Sequence, residues 1–190
     1  MTSLPRNELA LDIALTSTCP LRCRYCSVER KSQPELTASQ WEAVVASFAR
    51  VRRIDLISLE GGEPFGRPDL PAILGACLDA AQAVKIVTSG VIPFQSLPDG
   101  LLLHPRFILE LSLDGPREVH DFLRDGSWER AWNFLQTGLE RGIRMRLRSG
   151  NGRPLRSAQV NGVGTAVYDG DTIALPLHLQ GKYRIVGRFR

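Results

Sequence analysis

Five short apolar runs, residues 9–15, 54–59, 84–87, 107–113 and 143–147, are separated by segments of helical or loop character, and this rhythm constrains the chain more than any other feature. In the first run Leu9, Leu11, Ile13 and Leu15 alternate with Ala10, Asp12 and Ala14, the period of a β-strand. Thr37 with Gln40 three residues on fits a capping box, and Trp41, Val44, Val45 and Phe48 then give a helix one buried face. Asp69 is placed to cap a second helix, with Leu70, Ile73, Leu74, Cys77, Leu78 and Ala81 on one stripe. A later helix carries Trp128, Ala131, Trp132, Leu135 and Leu139 and stops at Gly142, a C-cap glycine. Residues 91–105, with Pro93, Pro98 and Pro105, read as a loose connection with at most a short helix, and residues 116–127 read as a loop. Strands alternating with helices pair in parallel through right-handed crossovers.

In parallel sheets and barrels of this kind, chemistry gathers at the carboxyl ends of the strands. Four segments fall there: the loop holding Cys19, Cys23 and Cys26, the turn Gly61-Gly62-Glu63-Pro64, then Thr88-Ser89-Gly90, and Ser112-Leu113-Asp114. Two glycines let backbone approach a ligand closely, and Pro64 fixes the exit of its turn.

Gaps of four and three residues between the cysteines suit a loop wrapped round a compact object better than one face of a straight helix. Thiolates are soft ligands, and clustered soft ligands select iron–sulfur or zinc. A structural zinc site closes with four protein ligands, yet no His is near, and Cys77 lies on the apolar helical stripe as a core residue. Three thiolates on a four-iron cube leave one iron open to a small molecule. A zinc knuckle is the alternative reading of the same residues.

The spacing of Cys19, Cys23 and Cys26, with aromatic Tyr25 before the last cysteine, resembles the signature of the radical S-adenosylmethionine (radical SAM) superfamily. Gly61-Gly62-Glu63-Pro64 resembles its GGEP motif, and the segment 120–127, with His120, Asp121 and Arg124, resembles a stretch common in its peptide-maturing members. The resemblance spans about residues 9–146. It implies an α/β fold, a partial (β/α)6 TIM-like barrel, here shortened. It implies a [4Fe–4S] cluster on Cys19, Cys23 and Cys26, with S-adenosylmethionine chelating the open iron. By the same resemblance Gly61, Gly62, Glu63 and Pro64 would hold the amino group of S-adenosylmethionine, Ser112 and Asp114 would lie near its ribose, and Ser89 resembles part of the family's Thr-Asn-Gly strand end at the cofactor. Arg124 would face its carboxylate, and Tyr25 would pack over the cluster or the adenine. Thr88 belongs to the same strand end, and His120 is a further candidate, as a structural or catalytic histidine.

The implied reaction is reductive cleavage of S-adenosylmethionine to a 5′-deoxyadenosyl radical that abstracts hydrogen from a substrate, in peptide or cofactor maturation. Its partners would be a peptide or small-molecule substrate and a one-electron donor such as a flavodoxin or ferredoxin. Two alternatives are a truncated, non-catalytic protein that binds cluster and S-adenosylmethionine, and a zinc-bearing scaffold.

Composition bounds the rest. With 190 residues, 43% hydrophobic and 23% charged, the chain is of globular type and large enough for a real core. No apolar run approaches membrane-spanning length and no secretory signal is visible, so clustered cysteines point to a reducing compartment, the cytoplasm by default. Residues 1–146 carry 17 Lys and Arg against 18 Asp and Glu, and residues 147–190 carry 7 against 2. The basicity thus belongs to the tail, where spread cations read as a solvated surface and not a nucleic-acid site.

The division expected is a core domain over 1–148 and a short β-rich tail over 149–190, joined by a linker-like break at 149–154. In the tail, turns at 169–171 and Gln180–Gly181 delimit runs in which Ile173, Leu175, Leu177 and Leu179 alternate and Tyr183, Ile185 and Phe189 follow, with Pro176 marking an edge. Three accounts fit this meander: closing the barrel, binding a peptide or partner, or deriving from a frameshift or truncation. No cysteine follows Cys77, so this sequence holds no ligands for an auxiliary cluster of the SPASM type.

Overall fold

The alternation at residues 9–15 becomes strand β1 (Ala10–Thr16), in which Ile13 and Leu15 are buried while Ala10, Asp12 and Ala14 are exposed. The structure, a computed structural model, describes residues 9–29, 34–148, 155–160, 162–165, 167–168, 172–175 and 185–189. After β1 come α1 (Ala38–Val51), β2 (Leu56–Gly61), α2 (Leu70–Ala80), β3 (Val84–Thr88), α3 (Asp99–Leu102) and β4 (Phe107–Ser112). The chain continues with α4 (Arg117–Leu123), α5 (Trp128–Glu140) and β5 (Met145–Arg148).

Strands β1 to β5 lie side by side in sequence order, all parallel. One row of registered residues crosses the sheet: Ile13 beside Leu59, Leu59 beside Ile86, Ile86 beside Leu109, Leu109 beside Met145. All five are buried in one core with Val45 of α1, Leu70, Ile73 and Leu74 of α2 and Leu135 of α5. The alternate residues, among them Asp12, Ser58, Lys85, Glu110 and Arg146, therefore point to the opposite, polar face. With helices on one face and polar side chains on the other, the sheet is the wall of a partial TIM-like barrel, as the sequence led us to expect. On its inner face Lys85 Nζ donates to both carboxylate oxygens of Glu110 at 3.4 Å, a buried pair.

Local signals were sound where the residues that carry them are neighbours. Thr37 and Gln40 form the capping box of α1, and Leu70, Ile73, Leu74, Cys77 and Leu78 are the buried residues of α2. Helix α5 ends with Gly142 at φ 72°, the amide of Gly142 bonding to Leu139 and that of Ile143 to Gly138, a Schellman motif.

Three expectations need correction. Residues 116–127 are not a loop: they contain α4, whose apolar Val119 and Phe122 face solvent while His120 is fully buried, so no apolar stripe announces it. Asp69 precedes α2 but makes no side-chain cap bond, because its carboxylate pairs with Arg67. The face of α1 is only partly covered: Val45 is its buried residue, and Phe48 is 44% exposed.

Beyond β5 the chain forms β6 (Leu155–Val160), β7 (Val163–Thr165), β8 (Val167–Tyr168), β9 (Thr172–Ala174) and β10 (Ile185–Phe189). Strand β9 lies antiparallel on β5, with Thr172 beside Arg148, and β8 extends the sheet past it. Strands β10, β6 and β7 make a separate antiparallel sheet. The stretch 149–154, the turns at 169–171 and Gln180–Gly181, and Pro176, Leu177, Leu179 and Tyr183 lie outside the described residues.

Candidate functional site

Glycines at the end of β2 allow the two loops that carry the main motifs to touch. The Gly62 amide donates to the Thr16 carbonyl at 2.7 Å and the Glu63 amide to the Thr18 carbonyl at 2.9 Å. A Cβ on Gly62 would sit 2.2 Å from the Thr18 oxygen, and one on Gly61, at φ 111°, 2.5 Å from the Thr16 oxygen. The close approach that these glycines permit is thus to the backbone that leads into the cysteine loop.

Arg67, unremarked in the sequence, ties the base of that loop. Its guanidinium donates to the carbonyls of Leu15 at 2.7 Å and Leu36 at 2.8 Å, at the two ends of the cysteine segment. It also pairs with Glu35 and Asp69, and Glu35 accepts from the Thr16 hydroxyl at 2.7 Å and the Ser17 amide at 2.9 Å. Only the tertiary structure joins these groups.

Cys19, Cys23 and Cys26 line one cavity of about 540 Å³ at the carboxyl ends of the strands. Of the residues singled out in the sequence, Tyr25, Gly61, Gly62, Thr88, Ser89, Ser112 and Arg124 line it as well. Two further charged residues line it, Glu60 and Arg148. Glu60 is the residue that periodicity could have found: it lies two positions after Ser58 on the polar face of β2 and registers with Ala14 of β1.

Glu63, Pro64 and Asp114 are buried behind the cavity wall. The Glu63 carboxylate accepts from the Thr88 hydroxyl at 2.7 Å, the Ser89 amide at 2.9 Å, the Ser89 hydroxyl and the Phe65 amide. Burial raises its pKa, and those hydrogen bonds offset only part of the rise. Asp114 accepts from the Tyr25 hydroxyl and from Arg124 Nε at 2.6 Å. Burial works against the charge of Arg124, but Asp114 outweighs it and the guanidinium pKa is raised. Burial, and then the hydrogen bond to Asp114, raise the pKa of Tyr25. Asp114 therefore acts on the cavity through the two side chains it orients.

His120 completes the support. The Asp114 amide donates to its Nδ1 at 3.4 Å, which leaves the proton on Nε2, 3.0 Å from Ser127 Oγ. It is fully buried and does not line the cavity.

Among the described residues, no three Cys, His, Asp or Glu side chains converge on a single metal ion. Burial raises the Cys23 thiol pKa; Arg124 lowers it, while Cys19, Cys26 and Asp114 raise it further. Coordination to a metal would reverse this balance, since a ligating thiol is deprotonated. Cys77 is fully buried in the core, and burial pushes its thiol up to about 12.

Residues 13–149 match the model of the Radical SAM superfamily. Over 84 residues the chain is 42% identical to a PqqA peptide cyclase of Streptomyces rochei, a match covering 42% of this chain and 22% of that protein. Over 117 residues it is 32% identical to the PqqA peptide cyclase of Bradyrhizobium diazoefficiens, covering 58% of this chain and 30% of that one. The chain thus spans less than a third of the length of these curated relatives. Streptococcus suis SuiB bound to precursor peptide SuiA superposes with TM-score 0.67 at 22% identity, over 75% of this chain and 33% of that one. Native anSMEcpe with bound AdoMet and Kp18Cys peptide gives 0.62 at 19%, over 75% and 43%. Both structures share the fold. Members of the matched superfamily use a [4Fe–4S] cluster and S-adenosylmethionine. The strand-end cysteine loop, the glycine turn packed against it and the sequence match across residues 13–149 together assign this chain to the Radical SAM superfamily.

Proposed function

We propose that this chain is the S-adenosylmethionine-cleaving core of a radical SAM enzyme that modifies a peptide. The observation that carries this reading is one cavity with the thiols of Cys19, Cys23 and Cys26 among its walls and the charged groups Glu60, Arg124 and Arg148 among the others. When bound and reduced, a four-iron cluster on these cysteines would supply one electron to the sulfonium of S-adenosylmethionine, releasing methionine and a 5′-deoxyadenosyl radical that abstracts hydrogen from the substrate.

The chain's own residues would bind and orient. The amino-acid end of S-adenosylmethionine carries an ammonium and a carboxylate. We assign the ammonium to Glu60 and the Gly61–Gly62 backbone, and the carboxylate to Arg124, which Asp114 already fixes. Glu63 supports this wall from behind, its oxygens being taken up by Thr88 and Ser89. Ser89 and Ser112 stand at the strand ends, where a ribose would lie. Tyr25, held through its hydroxyl by Asp114, presents its ring to the cavity and excludes water beside the cysteines.

A peptide substrate fits the two relatives named for a peptide and the exposed Asp12 and Ala14 on the inner face of β1, which leave that side of the sheet open. The electron would come from a flavodoxin- or ferredoxin-like carrier in a reducing compartment such as the cytoplasm. No described helix is long and apolar enough to cross a membrane.

The test is anaerobic reconstitution with iron and sulfide, addition of S-adenosylmethionine and dithionite, and mass spectrometry for 5′-deoxyadenosine. The product should appear, and should vanish in Cys19→Ala, Cys23→Ala and Cys26→Ala but not in Cys77→Ala. Strand β9 lies antiparallel on β5 where another parallel strand would complete a barrel, which favours a second reading, a protein that binds cluster and S-adenosylmethionine without turnover. A cluster with bound S-adenosylmethionine and no product would select that reading, and absence of any cluster would overturn both.

A further inference from the structure

Two helices of this chain end in the same way with different residues. Helix α5 turns out of its last carbonyls at Gly142, φ 72°. Helix α4 does so at Asp125, φ 59°, with the Gly126 amide closing back on the Asp121 carbonyl at 3.0 Å. Among the described residues Asp125 is the one non-glycine residue with positive φ. The position favours glycine, and an aspartate there is strained.

What the aspartate adds is a carboxylate aimed at the cysteine loop. Its Oδ2 accepts from the Arg22 amide at 3.2 Å. Beside it the Arg24 amide donates to the Leu123 carbonyl at 2.9 Å, and Arg24 Nε donates to the Phe122 carbonyl at 2.9 Å with the guanidinium 4.0 Å from the Phe122 ring centroid. Next along, the Tyr25 hydroxyl donates to Asp114. Arg22, Arg24 and Tyr25 thus anchor to the α4 corner and its support, while Cys19, Cys23 and Cys26 face the cavity. The corner is itself rigid: His120 bridges the Asp114 amide and Ser127, and Asp121 Oδ1 accepts from the Trp128 amide at 2.8 Å.

We propose that the corner after α4 is a template for the cysteine loop, and that Asp125 is a positioning residue that latches the loop through the Arg22 amide. The consequence for iron rests on the cluster reading above; the latch itself does not. Asp125→Gly keeps the left-handed backbone without strain and removes only the carboxylate. Asp125→Asn keeps an acceptor oxygen and a residue type that tolerates this conformation.

The experiment compares these two variants with the wild-type full chain. In metal-free protein, amide hydrogen exchange at Arg22 and Arg24 should be about tenfold faster in Asp125→Gly, with Ile86 and Leu109 in the sheet unchanged. Asp125→Asn should stay close to wild type. The Tm of Asp125→Gly should equal or exceed that of wild type, since strain is relieved, so a merely destabilised protein would be recognised at once. After reconstitution, a chelator should strip iron severalfold faster from Asp125→Gly. Equal exchange at Arg22 and Arg24 in wild type and Asp125→Gly would overturn the latch, as would Asp125→Asn behaving like Asp125→Gly. Faster exchange with unchanged iron release would overturn the positioning role. If wild type takes up no iron, the cluster reading falls while the exchange data still decide the latch.

Discussion

Thr88, at the end of β3, donates its hydroxyl to Glu63 Oε1 at 2.7 Å and accepts the Gly90 amide at 3.0 Å. One buried hydroxyl therefore joins the turn after β2 to the turn after β3, and with them two walls of the cavity. Thr88→Val keeps the shape and removes both bonds, leaving a buried carboxylate short of a donor. The expected loss is about 2–3 kcal/mol of unfolding free energy in urea, against less than about 1 kcal/mol for Thr88→Ser.

Glycine substitutions should separate by location. Gly62→Ala would place a Cβ 2.2 Å from the Thr18 oxygen, and Gly61→Ala would add positive φ to a 2.5 Å approach. Each should destabilise by more than about 2 kcal/mol and push the cysteine loop off the β2 turn. Gly75, inside α2 with nothing within 4 Å of its ideal Cβ, should behave oppositely. Gly75→Ala should raise stability by about 0.5–1 kcal/mol, measured as a higher Tm.

His120 gives the fold a pH dependence of known sign. Burial holds its imidazole below the ordinary value of about 6.5, with Arg124 lowering it further and Asp114 and Asp121 acting in opposition. The unfolded chain then binds the proton first as pH falls, so this contribution is complete above about 6.5 and is lost progressively below it. Urea unfolding between pH 7 and pH 5 should show falling stability in wild type and a shallower fall in His120→Ala. That variant should also lose about 2–3 kcal/mol at pH 7 with its two buried hydrogen bonds.

The role of Glu60 can be tested with a ligand lacking one group. Glu60→Gln should weaken binding of S-adenosylmethionine to the reconstituted protein by about tenfold or more, read by equilibrium dialysis. It should leave binding of the analogue without the α-amino group nearly unchanged. An equal loss for both ligands would remove Glu60 from the ammonium.

Local chemistry in the sequence determined a good part of this protein. The alternation of β1, the apolar stripe of α2, the capping box at Thr37 and the glycine stop at Gly142 depend on residues a few positions apart, and all four stand in the structure. The cysteine spacing and the glycine turn were legible for the same reason. What the sequence could not assign was the use of its polar side chains. Helix α4 carries no apolar stripe, because its buried residue is His120, and only contact with the Asp114 amide and Ser127 makes that burial tolerable. Glu63 is buried and does not line the cavity, because its donors, Thr88 and Ser89, arrive on the neighbouring strand and take up its carboxylate. Asp114 joins Tyr25 to Arg124 across separations of 89 and 10 residues. A buried carboxylate needs partners, and which partners reach it is decided by strand register and loop packing. Periodicity fixes which face a residue occupies; tertiary structure alone fixes what that face meets.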